Sequence, residues 1–552
     1  MKFTSLAFAF ALLVLVLNLL GAPIGAQGLA KNHYEDLHNG FRFKVPSNWL
    51  VIPIQATQRE DGVTTRMEGD GKIMTVDGRS YSDKGQLIVL RIERPDPAKE
   101  VATPTPTSTT KEAEDGEEDE VEKEVDKSSL EFILSDQFGW LFDYEIEEPE
   151  YDKPISGRKK LDGRHRSWIA QNGAYEVWID AFEFELTDAK LVLIYTISEK
   201  VSKKWKRTFK SSAKSVEEVE RERSLKFEKG GTYQDILAYH SELVSRTPGW
   251  TVLPTPSKRY LIKTSSTNKK FVDEVIERLE LSRDLFERDF PPEQPITDVS
   301  VVRICGTEKE FHSYGKTRRG VGGWFSPSSA ELVIFDYRET DRNATYSVMS
   351  HEAFHQYCHY LFGRSEAHRW FDEGHGDYYG GVRFNLGKAK VTKKMPGGFN
   401  RLPVIKSMLQ SDDQAPLAQH LYFDHAEWQS QGPSGVSCYA QSWSIIYMLR
   451  RGALGELPRK MWEPEYAEIL PNYMRTLSQG FREAYEQLTI LRKAEASEDG
   501  RELTPDELEF DSEDLEEETR EEIWKVAMAE SWGKIDLEAF EEHWLSFVRK
   551  QL

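Results

Sequence analysis

The chain has 552 residues, a net charge of −21, 39% hydrophobic residues and 12% aromatic residues. Its length predicts more than one domain, at roughly 100–200 residues each, and its apolar content excludes a chain disordered throughout. Only one apolar run approaches spanning length, which excludes a multi-span membrane protein; the acidic balance argues against nucleic-acid binding, which needs a face rich in Lys and Arg.

The charge is local. Residues 111–127 hold ten acids and three bases, and residues 495–522 hold fifteen acids and two bases, which together account for −20 of the −21. The rest of the chain is close to neutral, so net charge names no partner. Neither acidic stretch has the spacing of a calcium-binding loop, and both read as solvated acid.

Met1-Lys-Phe-Thr-Ser is followed by an apolar run from Leu6 to Leu20 and then by small residues, Gly21, Ala22, Gly25 and Ala26. This pattern predicts a signal peptide over residues 1–26 and a secreted or periplasmic protein. A membrane-anchored N-terminus is the alternative; no transmembrane domain is expected in the mature protein. Cys305, Cys358 and Cys438 are odd in number and widely spaced. They form no disulfide framework and read as buried small hydrophobes, with one disulfide as the alternative.

Phe41-Arg-Phe-Lys-Val-Pro-Ser-Asn-Trp49 alternates apolar and polar residues before a Pro/Asn turn, and Gln86-Leu-Ile-Val-Leu-Arg-Ile-Glu93 follows as a second strand. Residues 96–127 are Pro/Thr-rich and then acidic, a composition that cannot bury enough surface to offset chain entropy, and they read as a disordered insertion. Beyond it, Tyr175 to Phe184 and Lys190 to Ile197 read as strands and Lys200 to Lys214 as a helix. Residues 27–95 and 128–218 make one small domain if they pair across the insertion. The "Phe-x-Val-Pro-x-x-Trp" opening, meandering sheet and closing helix resemble the PsbP-like α/β sandwich, which implies a binding or scaffolding module.

A second domain is predicted over residues 230–490. Arg259 to Ser265 and Val299 to Cys305 read as strands, Phe271 to Phe290 as an amphipathic helix, and Gly320 to Pro327 with Glu331 to Asp336 as a hairpin. Beyond Thr345 nearly everything reads helical, so the class is α+β, with an N-terminal α/β sandwich and a small sheet leading into a mostly helical C-terminal part. An acidic segment (495–522) and a helical tail (523–552) close the chain.

Ser350-His351-Glu352-Ala353-Phe354-His355-Gln356 carries the chemistry. Histidines at i and i+4 share one helical face and can grip one ion. Glu352 lies at the edge of that face, within reach of a metal-bound water. This is the HExxH zinc-protease motif. A catalytic zinc wants a third protein ligand. His359 lies on the same face, but about 12 Å along the axis from His351, too far to converge. Trp370-Phe-Asp-Glu-Gly-His-Gly-Asp-Tyr-Tyr379 offers Glu373 and Asp377 at i and i+4. Glu373 suits the metal and Asp377 the far nitrogen of a histidine; Asp372, His375 and His368 stay open as third ligands, although Asp372 and His375 are expected to point elsewhere.

The pair His-Glu-x-x-His plus Glu-x-x-x-Asp resembles the gluzincins, the thermolysin-like branch of metallopeptidases. The phrase around Glu373 and the run Cys438-Tyr-Ala-Gln-Ser-Trp443 are similar to the peptidase-MA-like domain of secreted bacterial proteins. The resemblance covers about residues 230–490. It implies a thermolysin-like fold, zinc on His351, His355 and Glu373, Glu352 as general base, Asp377 orienting His351, and Tyr439 donating to an oxyanion. His375 and Gly376 depart from the pattern; Ala is commoner at the latter. A Gly-x-Met-Glu-Asn signature is missing, which speaks against an exopeptidase. The expectation is a zinc endopeptidase acting on a peptide or protein substrate. The alternatives are a non-catalytic zinc-binding envelope scaffold and another zinc hydrolase chemistry; oligomeric state cannot be read.

Overall fold

The computed structural model describes residues 32–552, apart from 56–57, 60, 70–72, 77–78, 83–84, 95–128, 139–147, 173–174, 223–230, 316, 318–319, 338–341, 386, 396–399, 433–434, 499 and 509. The expected signal peptide and the 96–127 insertion lie outside the described residues. The chain is mixed α/β and divides into two compact units, Met1–Ser224 with Glu242–Pro248, and Leu225–Ser241 with Gly249–Leu552.

The first unit is built on strands β1 (His33–Asp36), β2 (Phe41–Lys44), β3 (Leu50–Ile52), β4 (Val63–Glu68), β5 (Ile73–Val76), β6 (Arg79–Ser82), β7 (Gln86–Glu93), β8 (Tyr151–Ser156), β9 (Asp162–Asn172), β10 (Tyr175–Glu185), β11 (Ala189–Ser198) and β12 (Glu217–Glu218). Seven form one sheet in the order β3-β4-β7-β11-β10-β9-β8. β7 pairs antiparallel with β11, Val89 opposite Leu193, so the segments before and after residues 96–127 share one sheet. Side chains alternate across it, as the two-residue period of a strand requires. Phe182, Phe184, Leu191, Leu193 and Tyr195 meet Trp49 and Phe209 of helix α2 (Glu199–Ala213). Ile179, Ala181, Val192 and Ile194 meet Leu130, Ile133 and Leu134 of helix α1 (Leu130–Phe138). The sheet is therefore covered by a helix on each face. Helix α3 (Tyr233–Ser245) follows.

The second unit begins with a five-stranded sheet, ordered β13 (Thr251–Pro254), β14 (Tyr260–Thr264), β15 (Ser300–Cys305), β17 (Glu331–Phe335), β16 (Gly323–Ser326). The three inner strands are parallel and buried along their whole length. β13 and β16 are antiparallel edges. One face packs Ile262, Val302, Ile304, Leu332 and Ile334 against helices α4 (Lys269–Asp289) and α6 (Arg342–Leu361). The other carries Lys263, Arg303 and Glu331, a buried ionic triad covered in part by Tyr314 of helix α5 (Glu308–Gly315).

The helical part continues with α7 (Arg369–Gly380), α8 (Arg401–Ser411), α9 (Leu417–His420), α10 (His425–Ser430), α11 (Val436–Ala453), α12 (Ile469–Glu498), α13 (Glu517–Trp532) and α14 (Leu537–Lys550). A hairpin that the sequence reading missed, β18 (Val382–Asn385) with β19 (Lys388–Val391), interrupts the helices after α7. The terminal helices are part of the core: Trp532, Phe540, Trp544 and Phe547 join the same cluster as Phe354 and Trp370. The acidic stretch 495–522 carries short 3-10 turns at Pro505–Leu508 and Ser512–Asp514, with Leu515 buried. All three cysteines are buried free thiols. Trp370, Trp428, Trp443, Trp532 and Trp544 are among the most deeply buried side chains, in keeping with aromatic residues as core. Among the described residues, no helix is long and apolar enough to cross a membrane.

Candidate metal centre

The site is assembled by α6 and α7. Met349, Ala353, Phe354 and Tyr357 of α6 point into the core, which leaves His351, Glu352 and His355 on the half-buried side of the same helix. Past Leu361 the chain reverses through Gly363 and Arg364, both with φ near +65°, a left-handed bend that glycine tolerates best. α7 then returns beside α6. Ser347 Oγ donates to the carbonyl of Gly380 at 2.6 Å, locking the pair.

The reversal brings Glu373 to both histidines. Its Oε2 lies 3.3 Å from His351 Nε2 and 3.5 Å from His355 Nε2. One ligand atom from each of the three residues lies within 4.8 Å of the others, and this group could hold a metal ion. The far nitrogen of each imidazole faces a carboxylate: His351 Nδ1 is 3.2 Å from Asp377 Oδ1, and His355 Nδ1 is 2.7 Å from Asp372 Oδ2. Two imidazoles and a carboxylate, each imidazole backed by a second carboxylate, fit a d-block divalent ion. Burial pushes the Glu373 carboxyl up, but the two histidines outweigh it and hold it well below the usual range. Burial pushes His351 down, and Asp377 and Glu373 more than reverse this, to about 9.

Two further layers hold these groups. Arg401 of α8 clamps the buried Asp377 with one edge of its guanidinium, Nε and Nη2 donating to the two carboxylate oxygens at 2.6 and 3.3 Å. Its guanidinium stacks 4.8 Å from the ring of Tyr439. Tyr439, in the first turn of α11, donates its hydroxyl to Glu373 Oε1 at 3.1 Å; burial and the Glu373 charge push this phenol upward. A Cβ on Gly376 would stand 2.9–3.0 Å from three atoms of the His351 ring. Gly376, a departure from the resembled family, is thus the residue against which that imidazole rests.

Glu352 stands apart from the three candidate ligands. Its Oε2 accepts the backbone N–H of Phe325 at 2.9 Å, from the edge strand β16. Burial raises its carboxyl above the usual value. Two cavities flank the group. A smaller one, about 190 Å³, is walled by Gly322, Val348, His351, Glu352 and Met395. A larger one, about 500 Å³, lies on the side of His355.

All six residues expected at the site therefore stand within it. The alternative third ligands separate. His375 is fully buried among Phe290, Phe354 and Phe371, its Nδ1 2.8 Å from the carbonyl of Phe371. His368 caps α7 and lines the larger cavity, as does His359. Asp372 was expected to point elsewhere and instead meets His355. The signal was spacing: Asp372 and Asp377 flank Glu373 five residues apart, about 7.5 Å of helix, close to the about 6 Å between the two histidines. Arg401 had no signal, since nothing in sequence ties α8 to Asp377.

No family model and no curated protein matches the chain. Among solved structures it is similar to cyanobacterial PsbP from Synechocystis sp. PCC 6803, with 13% identity and a TM-score of 0.22, covering 36% of this chain and 96% of that one. It is also similar to the Saccharomyces cerevisiae Ran-binding protein Mog1p, with 12% identity and a TM-score of 0.19, covering 34% and 95%. A protein from Bacteroides thetaiotaomicron VPI-5482 matches at 9% identity and a TM-score of 0.20, covering 59% and 77%. At such scores none of these likenesses supports an assignment of function.

Proposed function

We propose that the protein is a secreted or periplasmic zinc-dependent endopeptidase of the gluzincin type, with its first unit a PsbP-like accessory domain. The observation that carries this reading is the convergence of His351, His355 and Glu373 with Glu352 beside them but off the ligand set. A pure metal-binding scaffold has no need of a carboxylate there.

His351, His355 and Glu373 would hold a zinc ion, which would supply Lewis acidity to activate a water and polarise a carbonyl. Glu352 takes a proton as the water oxygen adds to the carbonyl carbon, and returns it to the nitrogen as the C–N bond breaks. Asp377 and Asp372 hold the two imidazoles through Nδ1, which leaves both Nε2 atoms facing Glu373. Tyr439, beside Glu373, is placed to donate to an oxyanion. Among the described residues β16 is an edge strand of its sheet, with only the Phe325 N–H given to Glu352, and an extended peptide can add to such an edge.

Glu352→Gln tests the reading. Hydrolysis of a mixed peptide library should fall about 10²–10⁴-fold, with zinc stoichiometry by metal analysis unchanged. Turnover equal to wild type rejects the assignment. A wild type that binds zinc and cleaves no peptide leaves the scaffold reading in its place.

A further inference from the structure

The larger cavity opens beside His355 and Glu373, and its chemistry differs from that of the smaller one. Its walls are rings: Phe325 from β16, Phe423 before α10, and Trp524 from α13. Trp524 is fixed by its indole N–H, which donates to the carbonyl of Glu366 at 3.0 Å. The carboxylate of Glu366 lines the same space and makes no hydrogen bond or ion pair among the described residues. The Glu366 residue is solvent-exposed, and Asp372, Arg369, His355 and Arg520 all stand near enough to act on its charge. A second carboxylate, Asp424, lies in the wall as the N-cap of α10.

Four carboxylates, Glu366, Asp372, Glu373 and Asp424, line this cavity against Arg369 and His355. Arg369 faces Glu373 Oε1 at 3.8 Å. His359 is 5% exposed, and its Nδ1 has no partner. Burial pushes His359 down to about 4, so it stays neutral. The result is a cavity with aromatic sides and an excess of carboxylates over cationic groups. Aromatic faces accept an aliphatic stem and attract a cation, and a carboxylate accepts a charge-assisted hydrogen bond from a cationic donor.

We propose that this cavity is a substrate subsite selective for a cationic side chain, lysine or arginine, with Glu366 the residue that sets the preference. The proposal rests on the peptidase reading above. It adds a substrate class to a site whose chemistry names none, and it gives the penultimate helix α13 a part in specificity.

The test is a set of fluorogenic peptides in which lysine, arginine, norleucine or citrulline occupies each position around the cut in turn. The full-length zinc-loaded protein should prefer lysine over norleucine at one position by roughly tenfold or more in kcat/KM, the worth of a charge-assisted hydrogen bond. Glu366→Gln should collapse that ratio toward one, Glu366→Lys should invert it, and Glu366→Asp should restore part of it. A ratio unchanged in Glu366→Gln, or no position with a basic preference, overturns the proposal. If the wild type cleaves nothing, the peptidase reading fails, and the subsite is tested by fluorescence anisotropy with the lysine and norleucine peptides on zinc-loaded Glu352→Gln. Tighter lysine binding that is lost in Glu352→Gln/Glu366→Gln sustains the cavity's role; equal binding rejects it.

Discussion

Each candidate ligand is held by a neighbour outside the candidate ligand set. Asp372 and Asp377 fix the two imidazoles, and such partners are worth about 10–100-fold in metal affinity. Asp372→Asn and Asp377→Asn should each weaken zinc by that range in competition titrations with a chelator, the larger effect falling on Asp377, which is 1% exposed and clamped by Arg401. Gly376 acts through space alone. Gly376→Ala would drive a Cβ into the His351 ring, and the displaced imidazole should lower zinc affinity by about tenfold, with far-UV circular dichroism unchanged. At this scale HExxH and Glu373 were legible because helical periodicity places them. Asp372 was misjudged because its aim depends on how α7 crosses α6, which no single-helix geometry contains.

At the scale of elements, the buried triad on β14, β15 and β17 ties three parallel strands across their ladder. Lys263 Nζ meets Glu331 Oε1 at 3.0 Å, and Arg303 meets both Glu331 oxygens at 2.9 and 3.1 Å. Burial favours the neutral acid, yet Arg303 and Lys263 outweigh it and hold the Glu331 carboxyl far below its ordinary 4.5. A folded-state pKa below the unfolded one means that the carboxylate stabilises the fold above about pH 4.5. That contribution is lost progressively as pH falls below it. Glu331→Gln leaves two buried cations without their partner and should cost about 3–5 kcal/mol in urea unfolding at pH 7. The difference between variant and wild type should shrink as pH is lowered toward 2. The strands themselves were readable as apolar runs, whereas the pairing of their three charges was not. Lys263, Arg303 and Glu331 lie 28 to 68 positions apart, and only the parallel register makes them neighbours. The hairpin β18–β19 was missed for a related reason: Lys388-Ala-Lys-Val391 is mostly exposed and has little of the apolar alternation that marks a strand.

Over the whole molecule, the terminal helices prove to be part of the second unit's core. Trp370 of α7 stacks edge-on against Trp532 at 5.4 Å, and its indole N–H reaches Met528 Sδ at 3.3 Å. The helix that carries Glu373 is therefore supported by α13. Deleting residues 517–552 should leave a chain without cooperative thermal unfolding of the second unit, and with zinc binding lost, rather than a trimmed active protein. Scanning calorimetry and metal analysis on the truncated chain would check this; retained stoichiometric zinc would show the support to be dispensable.

The sequence by itself determined the local patterns. Strand alternation, helix periodicity, the HExxH face and the Glu373 segment are all set by spacings within about twenty residues, where backbone geometry dictates which side chains share a face. Only the tertiary structure decided which distant segments meet. β7 joins β11 across residues 96–127, Arg401 closes on Asp377, and Asp372 turns to His355. Trp524, about 150 residues beyond Glu373, walls the cavity beside it. Those contacts depend on how packed elements cross, and that is settled by the burial of whole helix faces and sheets rather than by any one stretch of chain.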